Sequence, residues 1–296
     1  MIKDPVGDNE YLTSVETLAQ LVRQQAVTVI DTREPGEYAA DHIPGAVNIY
    51  EIFTYLATKE NGSYEAMRRI FAALFGAAGL SGEERVVVYE DAMDNGYGRS
   101  CRGRFILQYL GHKNATVLHG GYQAWLEAGL PVTAEAPLVT PRVFPVRPDP
   151  SIILTAEEML ASLANPGIVK LDVRDRAEWM GISSSPYGPD FAPRKGRIPG
   201  AVWIEWYDLM QQDGPIPWFK SPDELRDVFA EMGVTPESTV HVYCFKGART
   251  SNVFIALKMA GVQKVRNYFS SWNEWSRDPN LPIEKGHPRP TLPPAR

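Results

Sequence analysis

The chain contains two copies of one pattern. "VTVIDTREPGEYAADHIPGAVNI" (Val27 to Ile49) aligns with "GIVKLDVRDRAEWM" followed, after an insertion, by "KGRIPGAVWI" (Gly167 to Ile204). "RVVVYED" (Arg85 to Asp91) aligns with "TVHVYCF" (Thr239 to Phe245), and "ATVLHGGYQAWLEAGLPV" aligns with "VRNYFSSWNEWSRDPNLPI". Three matches in the same order and at a similar offset describe a duplicated domain, so both halves must fold by one plan. Within each copy, short β-rich runs such as "VTVID" and "RVVVY" alternate with helix-period segments such as "YEAMRRIFAALFGAAG" and "SPDELRDVFAEMG". That alternation predicts an α/β protein of two tandem domains, each an open, mostly parallel sheet flanked by helices. Sheets of this type place their sites in the loops beyond the carboxyl ends of the strands.

The expected divisions are residues 1–135 for an N-terminal domain, 136–150 for a linker, 151–285 for a C-terminal domain and 286–296 for a tail. The linker and tail are assigned because "APLVTPRVFPVRPDPS" and "GHPRPTLPPAR" carry too much proline for helix or sheet ladder. With 296 residues and 44% hydrophobic content, the chain can fill two cores. A formal charge of -6 argues against nonspecific binding to nucleic acid or to anionic membranes. No apolar run reaches the roughly 20 residues a bilayer requires, and "MIKDPVGDNEYLTSVE" has no signal-peptide core, so a cytoplasmic location is expected. The two cysteines, Cys101 and Cys244, are too few for a disulfide framework or a cysteine-rich zinc site. The five histidines lack paired-ligand spacing, and neither metal nor cofactor is expected.

Cys244 ends an apolar strand, "VHVY", and the run Phe245, Lys246, Gly247, Ala248, Arg249 leads to Thr250 and Ser251, either of which can cap the helix "SNVFIALKMAG". A short loop opening a helix aims several backbone N–H groups at one point and favours an anion there. A sulfur at that focus is favoured as thiolate, its nucleophilic form. Helix-end electrostatics contribute about 0.3–2 kcal/mol. Lowering a thiol pKa by two to four units takes roughly 3–5 kcal/mol, so Lys246, Arg249 and the converging N–H groups have to supply the rest. A buried isolated cysteine is otherwise a small hydrophobe; two cations beside this one, in an acidic protein, favour the reactive reading. Cys101, in "RSCRGRFILQYLG", is read as a packing residue early in the matching helix.

With these residues in view the chain resembles the tandem-domain rhodaneses, a family of sulfurtransferases, from about Thr13 to Ile283. The resemblance rests on the cysteine loop, on "HIPGAV" and "RIPGAV", on "IDTRE" and "LDVRD", and on "GGYQAW" and "SSWNEW". It implies a catalytic C-terminal domain whose cysteine, here Cys244, carries a persulfide cradled by the backbone of Phe245 to Thr250. It implies donor-binding roles for Arg174, of the "D-x-R" element, and for Lys246; because a dianionic donor needs positive charge near the sulfur, Arg249 is expected to bind the donor with Lys246. A structural ion pair of Arg174 with Asp172 or Asp175 competes with the first of these. The partners so implied are a small anionic sulfur donor and a thiophilic acceptor such as cyanide, a thiol or a thiol protein. Family members using 3-mercaptopyruvate have a small neutral loop resembling Cys-Gly-Ser-Gly, and those using thiosulfate one resembling Cys-Arg-Lys-Gly. This chain keeps the lysine but has Phe245 where the arginine would be; charge favours thiosulfate, with 3-mercaptopyruvate as the alternative.

Two competing readings stay open to test. Cysteine phosphatases place five residues between cysteine and arginine, whereas here four separate Cys244 from Arg249, a spacing that disfavours phosphatase. A noncatalytic persulfide carrier differs from an enzyme only in turnover. In the first copy Glu90 stands where the second has Cys244, followed by Asp91 and Asp94, so the N-terminal domain is expected to be inactive, its carboxylate repelling an anionic donor.

Overall fold

The computed structural model describes residues 4–59, 62–92, 96–211 and 214–286. Asp94 and all but Gly286 of the 286–296 tail lie outside these. The chain forms two compact units: Met1–Tyr55 with Tyr64–Pro150 and Met210–Lys220, and Leu56–Ser63 with Ser151–Leu209 and Ser221–Arg296. Residues 136–149 contain neither helix nor strand.

In the first unit the strands are β1 (Leu12–Thr13), β2 (Thr28–Asp31), β3 (Ala46–Asn48), β4 (Val86–Tyr89) and β5 (Ala115–Leu118). They form a parallel sheet in the order β1-β5-β4-β2-β3. The helices are α1 (Val15–Arg23), α2 (Pro35–Ala40), α3 (Glu51–Thr54), α4 (Ser63–Ala77), α5 (Gly98–Tyr109) and α6 (Gly121–Glu127). Every residue of β4 is buried, which explains why "VVVY" runs apolar without alternation: a parallel sheet is covered on both faces. Ser14 caps α1, accepting the N–H of Thr17, with Glu16 in the first turn and Arg23 in the last, each on the favourable end of the helix dipole.

The second unit repeats the plan. Strands β6 (Ile168–Asp172), β7 (Val202–Trp203), β8 (Thr239–Tyr243) and β9 (Lys264–Tyr268) form a parallel sheet in the order β7-β6-β8-β9. Its helices are α7 (Ala156–Ser162), α8 (Arg176–Trp179), α9 (Pro222–Glu231), α10 (Ala248–Met259) and α11 (Ser271–Trp275). Ser221 and Glu224 close a capping box at the start of α9, and Pro222 occupies its first turn. Ala248 through Leu257 of α10 are all buried, as are most residues of α5; both helices are enclosed all round, which explains their weak amphipathic pattern.

One row of the second sheet departs from the first. Lys170, His241 and Arg266 are direct cross-strand neighbours, where the first unit has Val29, Val87 and Thr116. Burial first, and then the charges of Arg266 and Lys170, push the His241 imidazole down to about 4, against the opposite pull of Glu158. An unfolded histidine titrates near 6.5, so the unfolded chain takes up the proton first and stability is lost as pH falls from about 6.5 to about 4. Replacing His241 by Val, the residue at position 87, is expected to remove on the order of 1–2 kcal/mol of the stability lost between about pH 7.5 and pH 5, after allowance for solvent screening. Urea midpoints of both proteins at the two pH values check this; equal pH slopes would contradict it.

Candidate functional site

Strand β8 ends at Tyr243 and delivers Cys244 to the carboxyl edge of the sheet. Helix α10 begins at Ala248 with Gly247 as its N-cap, so neither Thr250 nor Ser251 caps it as the sequence led us to expect. Gly247 stands at φ +89°, and a Cβ there would meet the Phe269 ring and carbonyl at 2.7–2.9 Å. Only glycine turns the chain tightly enough at this point to begin the helix at once. Ser251 lies inside α10 and returns its hydroxyl to the Gly247 carbonyl at 2.6 Å.

The turn closes around the sulfur. The Gly247 N–H donates to Cys244 Sγ at 3.2 Å, and the hydroxyls of Thr250 and Ser271 each lie 3.8 Å from it. Cys244 is 1% exposed. Burial raises the thiol pKa, but the charge of Arg249 and the backbone N–H groups of Thr250, Gly247 and Lys246 outweigh it, so the thiol sits below its ordinary value. The converging amides and cation are thus arranged to hold a thiolate.

Arg249 does not face the solvent. Its Nη1 donates to Glu178 Oε2 at 2.6 Å and to Asp175 Oδ1 at 2.8 Å, and its Nη2 to Glu178 Oε1 at 3.2 Å. Both carboxylates come from the start of α8, more than seventy positions earlier in the chain. Lys246 is buried beside the turn with its Nζ 4.8 Å from the centre of the Tyr187 ring. Phe245 packs on the same ring, with centroids 5.0 Å apart.

Arg174 is drawn elsewhere. Its Nε and Nη2 grip Asp172 at 2.6–3.1 Å, and Nη2 also donates to the Gly196 carbonyl. The guanidinium lies over the Tyr243 and Trp272 rings, and its buried Nη1 has no hydrogen-bond partner among the described residues. Tyr243 Oη donates to Asp172 and accepts from the Ile198 N–H. The first unit carries the same constellation in Arg33, Asp31, Tyr89 and Ile43, although it has no cysteine at the matching turn. An arrangement kept without the thiol is accounted for by anchoring the loops, which is the ion-pair alternative for Arg174.

Glu90 occupies the position of Cys244. Its carbonyl accepts from Tyr122 N at 2.8 Å, as that of Cys244 accepts from Trp272 N at 3.0 Å. Its Oε2 accepts from the backbone N–H and hydroxyl of Ser100, at the start of α5. Complete burial pushes the carboxyl up to about 8, against the N–H and hydroxyl of Ser100, so at neutral pH it is mostly protonated. Charge repulsion, expected from sequence, is weakened to the extent that burial favours the protonated acid at this position. Residues 214–220 close over the area: Tyr97 donates to the Pro217 carbonyl, and the Phe219 N–H donates to His119 Nε2 at 3.0 Å. In sequence these residues belong to the second copy. Cys101 is fully buried in α5.

Sequence reading passed over Ser271. It stands at φ +57°, where the first copy has Gly121 at φ +60°. Its hydroxyl accepts from Cys244 N at 3.1 Å and donates to the Tyr268 carbonyl at 2.7 Å. A left-handed serine is strained, and the strain is compensated by that contact. The signal was present in the alignment of "GGYQAW" with "SSWNEW". Trp272 and Trp275 are both core residues, each 0% exposed.

A duplicated parallel α/β unit with a thiol held at a strand-to-helix turn defines a class of protein, and comparison with known proteins agrees. The rhodanese-like domain family matches residues 14–128 and again 155–278, and the chain belongs to that family as a tandem-domain sulfurtransferase. It is 32% identical over 288 residues to the sulfur carrier protein TtuD of Thermus thermophilus, covering 94% of this chain and 97% of that one. It is 31% identical to thiosulfate sulfurtransferase of Mus musculus, covering 90% and 92%. Among solved structures, EanB carrying a cysteine persulfide with ergothioneine superposes with a TM-score of 0.75 at 25% identity, covering 97% of this chain and 67% of that one. No helix among the described residues is long and apolar enough to cross a membrane.

Proposed function

We propose that the chain transfers a sulfane sulfur from thiosulfate to a thiophilic acceptor through a persulfide on Cys244. The observation that carries this is the sulfur itself, buried at a focus of backbone N–H groups with its pKa lowered by them and by Arg249. In the first half-reaction the Cys244 thiolate attacks the outer sulfur of thiosulfate. The S–S bond of the donor breaks, its electron pair leaves on sulfite, and Cys244 holds the transferred sulfur as a persulfide. In the second, an acceptor nucleophile attacks that outer sulfur and the electron pair returns to Cys244 as thiolate. The amides of Phe245 to Thr250 stabilise the negative charge on sulfur at each stage, as preorganised donors do for a developing anion.

Arg249, bound to two carboxylates, serves the thiolate more than the donor, and Arg174 anchors the turn. Lys246 is then the cation proposed to meet the anionic end of the donor. A dianionic donor gains most from it, which favours thiosulfate over 3-mercaptopyruvate. The relative named a sulfur carrier supports a thiol protein among the acceptors. Residues 1–135 are proposed to form the silent domain and 151–285 the catalytic one.

After incubation with thiosulfate, mass spectrometry of peptides is expected to show one added sulfur on the peptide carrying Cys244 and none on that carrying Cys101. Cys101→Ala is expected to keep nearly full turnover. A second sulfur on Cys101, lost to acceptor as fast as the first, would make both halves sulfur-transfer sites and overturn the assignment. Loading without multiple turnover would support the carrier reading.

A further inference from the structure

In the first unit a cavity of about 690 Å³ opens between α1 and α6. Its floor is small and apolar, made by Ala19 of α1 with Ala124 and Ala128 of α6 and its C-terminal end. Both helices follow parallel strands, so both begin at the carboxyl edge of the sheet. There the cavity is lined by the Trp218 ring and by two acids, Asp4 and Glu16. Arg23 and Glu127 lie at the far end, in the last turns of the two helices. The Trp218 ring is held from behind: His119 packs edge-on against it with centroids 4.7 Å apart, and His119 Nε2 accepts the N–H of the next residue, Phe219, at 3.0 Å. His119 Nδ1 pairs with Asp4 Oδ1 at 2.8 Å, whereas the buried Asp4 Oδ2 has no hydrogen-bond partner among the described residues. Neither Asp4 nor Glu16 is ion-paired with a lysine or arginine among the described residues.

The duplication shows that this opening is particular to the first copy. In the second copy Leu160 stands where α1 has Ala19, and Glu274 and Asp278 stand where the first copy has Ala124 and Ala128. Helix α11, the counterpart of α6, is also tied to the insertion: Asn273 donates to the Phe191 carbonyl, Arg277 to the Asp190 carbonyl, and Arg194 to the Trp275 and Ser276 carbonyls. The first copy has no such insertion and keeps small residues at these positions. The geometry points to the cavity as a binding site for a small organic cation, its ammonium held between Asp4, Glu16 and the Trp218 ring and its flat apolar body lying over the three alanines. A cavity of this volume suits a drug-sized molecule. An aromatic face and a carboxylate each attract an ammonium group, and together they select it over a neutral molecule of the same shape. The site lies in the unit without the thiol and does not depend on the sulfur-transfer reading.

Calorimetric titration of the full chain with three indoles of similar shape tests this: tryptamine, a cation; 3-propylindole, which is neutral; and indole-3-acetate, an anion. Tryptamine is expected to bind at least about tenfold more tightly than 3-propylindole, and indole-3-acetate more weakly than either. Glu16→Gln, at an exposed position, is expected to shrink the preference for tryptamine over 3-propylindole about threefold, while Glu127→Gln, at the other end of the cavity, leaves it in place. Trp218→Leu is expected to weaken tryptamine at least about fivefold, with thermal unfolding as the check that this variant folds. Equal affinity for the three probes, no binding of tryptamine up to about 5 mM, or an unchanged preference in Glu16→Gln would overturn the proposal. Unchanged tryptamine affinity in a folded Trp218→Leu would place the binding elsewhere and overturn it as well.

Discussion

Cys244→Ser is expected to lower sulfur transfer at least about a thousandfold while leaving the thermal midpoint within a few degrees of the parent. The two side chains are close in size, and the hydroxyl keeps contact with the Gly247 N–H and with Thr250 and Ser271. The amide focus therefore stays filled by a polar atom and the turn has no reason to open. What is lost is the nucleophile: a serine hydroxyl beside Arg249 stays protonated near neutrality, and no described histidine or carboxylate is hydrogen-bonded to this position to act as its base. Cyanide-dependent release of sulfite and thiocyanate from thiosulfate measures the activity, and thermal unfolding measures the fold. Activity within about tenfold of the parent would remove Cys244 from the mechanism.

Arg249→Ala should produce the largest combined effect on stability and chemistry. Glu178 is 2% exposed and accepts two hydrogen bonds from Arg249, so the substitution leaves a buried carboxylate without its cation. Breaking a buried pair from one side costs about 3–5 kcal/mol. The same change removes the foremost influence that lowers the Cys244 thiol, leaving the backbone N–H groups of Thr250, Gly247 and Lys246 to oppose burial. The folded-state pKa of Cys244 then rises, and the thiolate fraction at neutral pH falls. Transfer is expected to drop at least about tenfold near pH 7 and to recover as the pH is raised. The pH profile of Cys244 alkylation checks this, and its midpoint should move upward. A profile identical to that of the parent would mean that the amides alone hold the thiolate and that Arg249 is purely a clamp on α8.

The substitution series follows from how much of the site is local in sequence. Cys244, Gly247 and the amides of the turn lie within one run of residues, and a strand leading into a helix through a glycine has few conformations open to it. That run was readable directly, as was the internal asymmetry between Cys244 and Glu90. Arg174 and Arg249 were readable only as cations, because the partner of a charged side chain is set by whichever segments pack beside it. Asp175 and Glu178 reach Arg249 from another strand-to-helix connection, and nothing near Arg249 in sequence names them. The helix start was misplaced by a few residues because Thr250 and Ser251 are good capping types, whereas Gly247 in the left-handed region begins α10 without a side-chain cap.

The amino-acid sequence by itself determined the duplication, the parallel α/β plan of each copy and the placing of one thiol at the carboxyl edge of a sheet. Each of these rests on periodicity and on local backbone preference, which act over a few residues and repeat visibly when the domain repeats. Only the tertiary structure decided that burial shifts the Glu90 carboxyl upward, that residues 214–220 pack with the first unit, and that Tyr187 lies under Lys246. Protonation depends on how completely water is excluded, and ion pairing and ring contacts depend on which distant segments meet. Both are properties of the packed chain, arising from side chains far apart in sequence that share one small, poorly solvated volume.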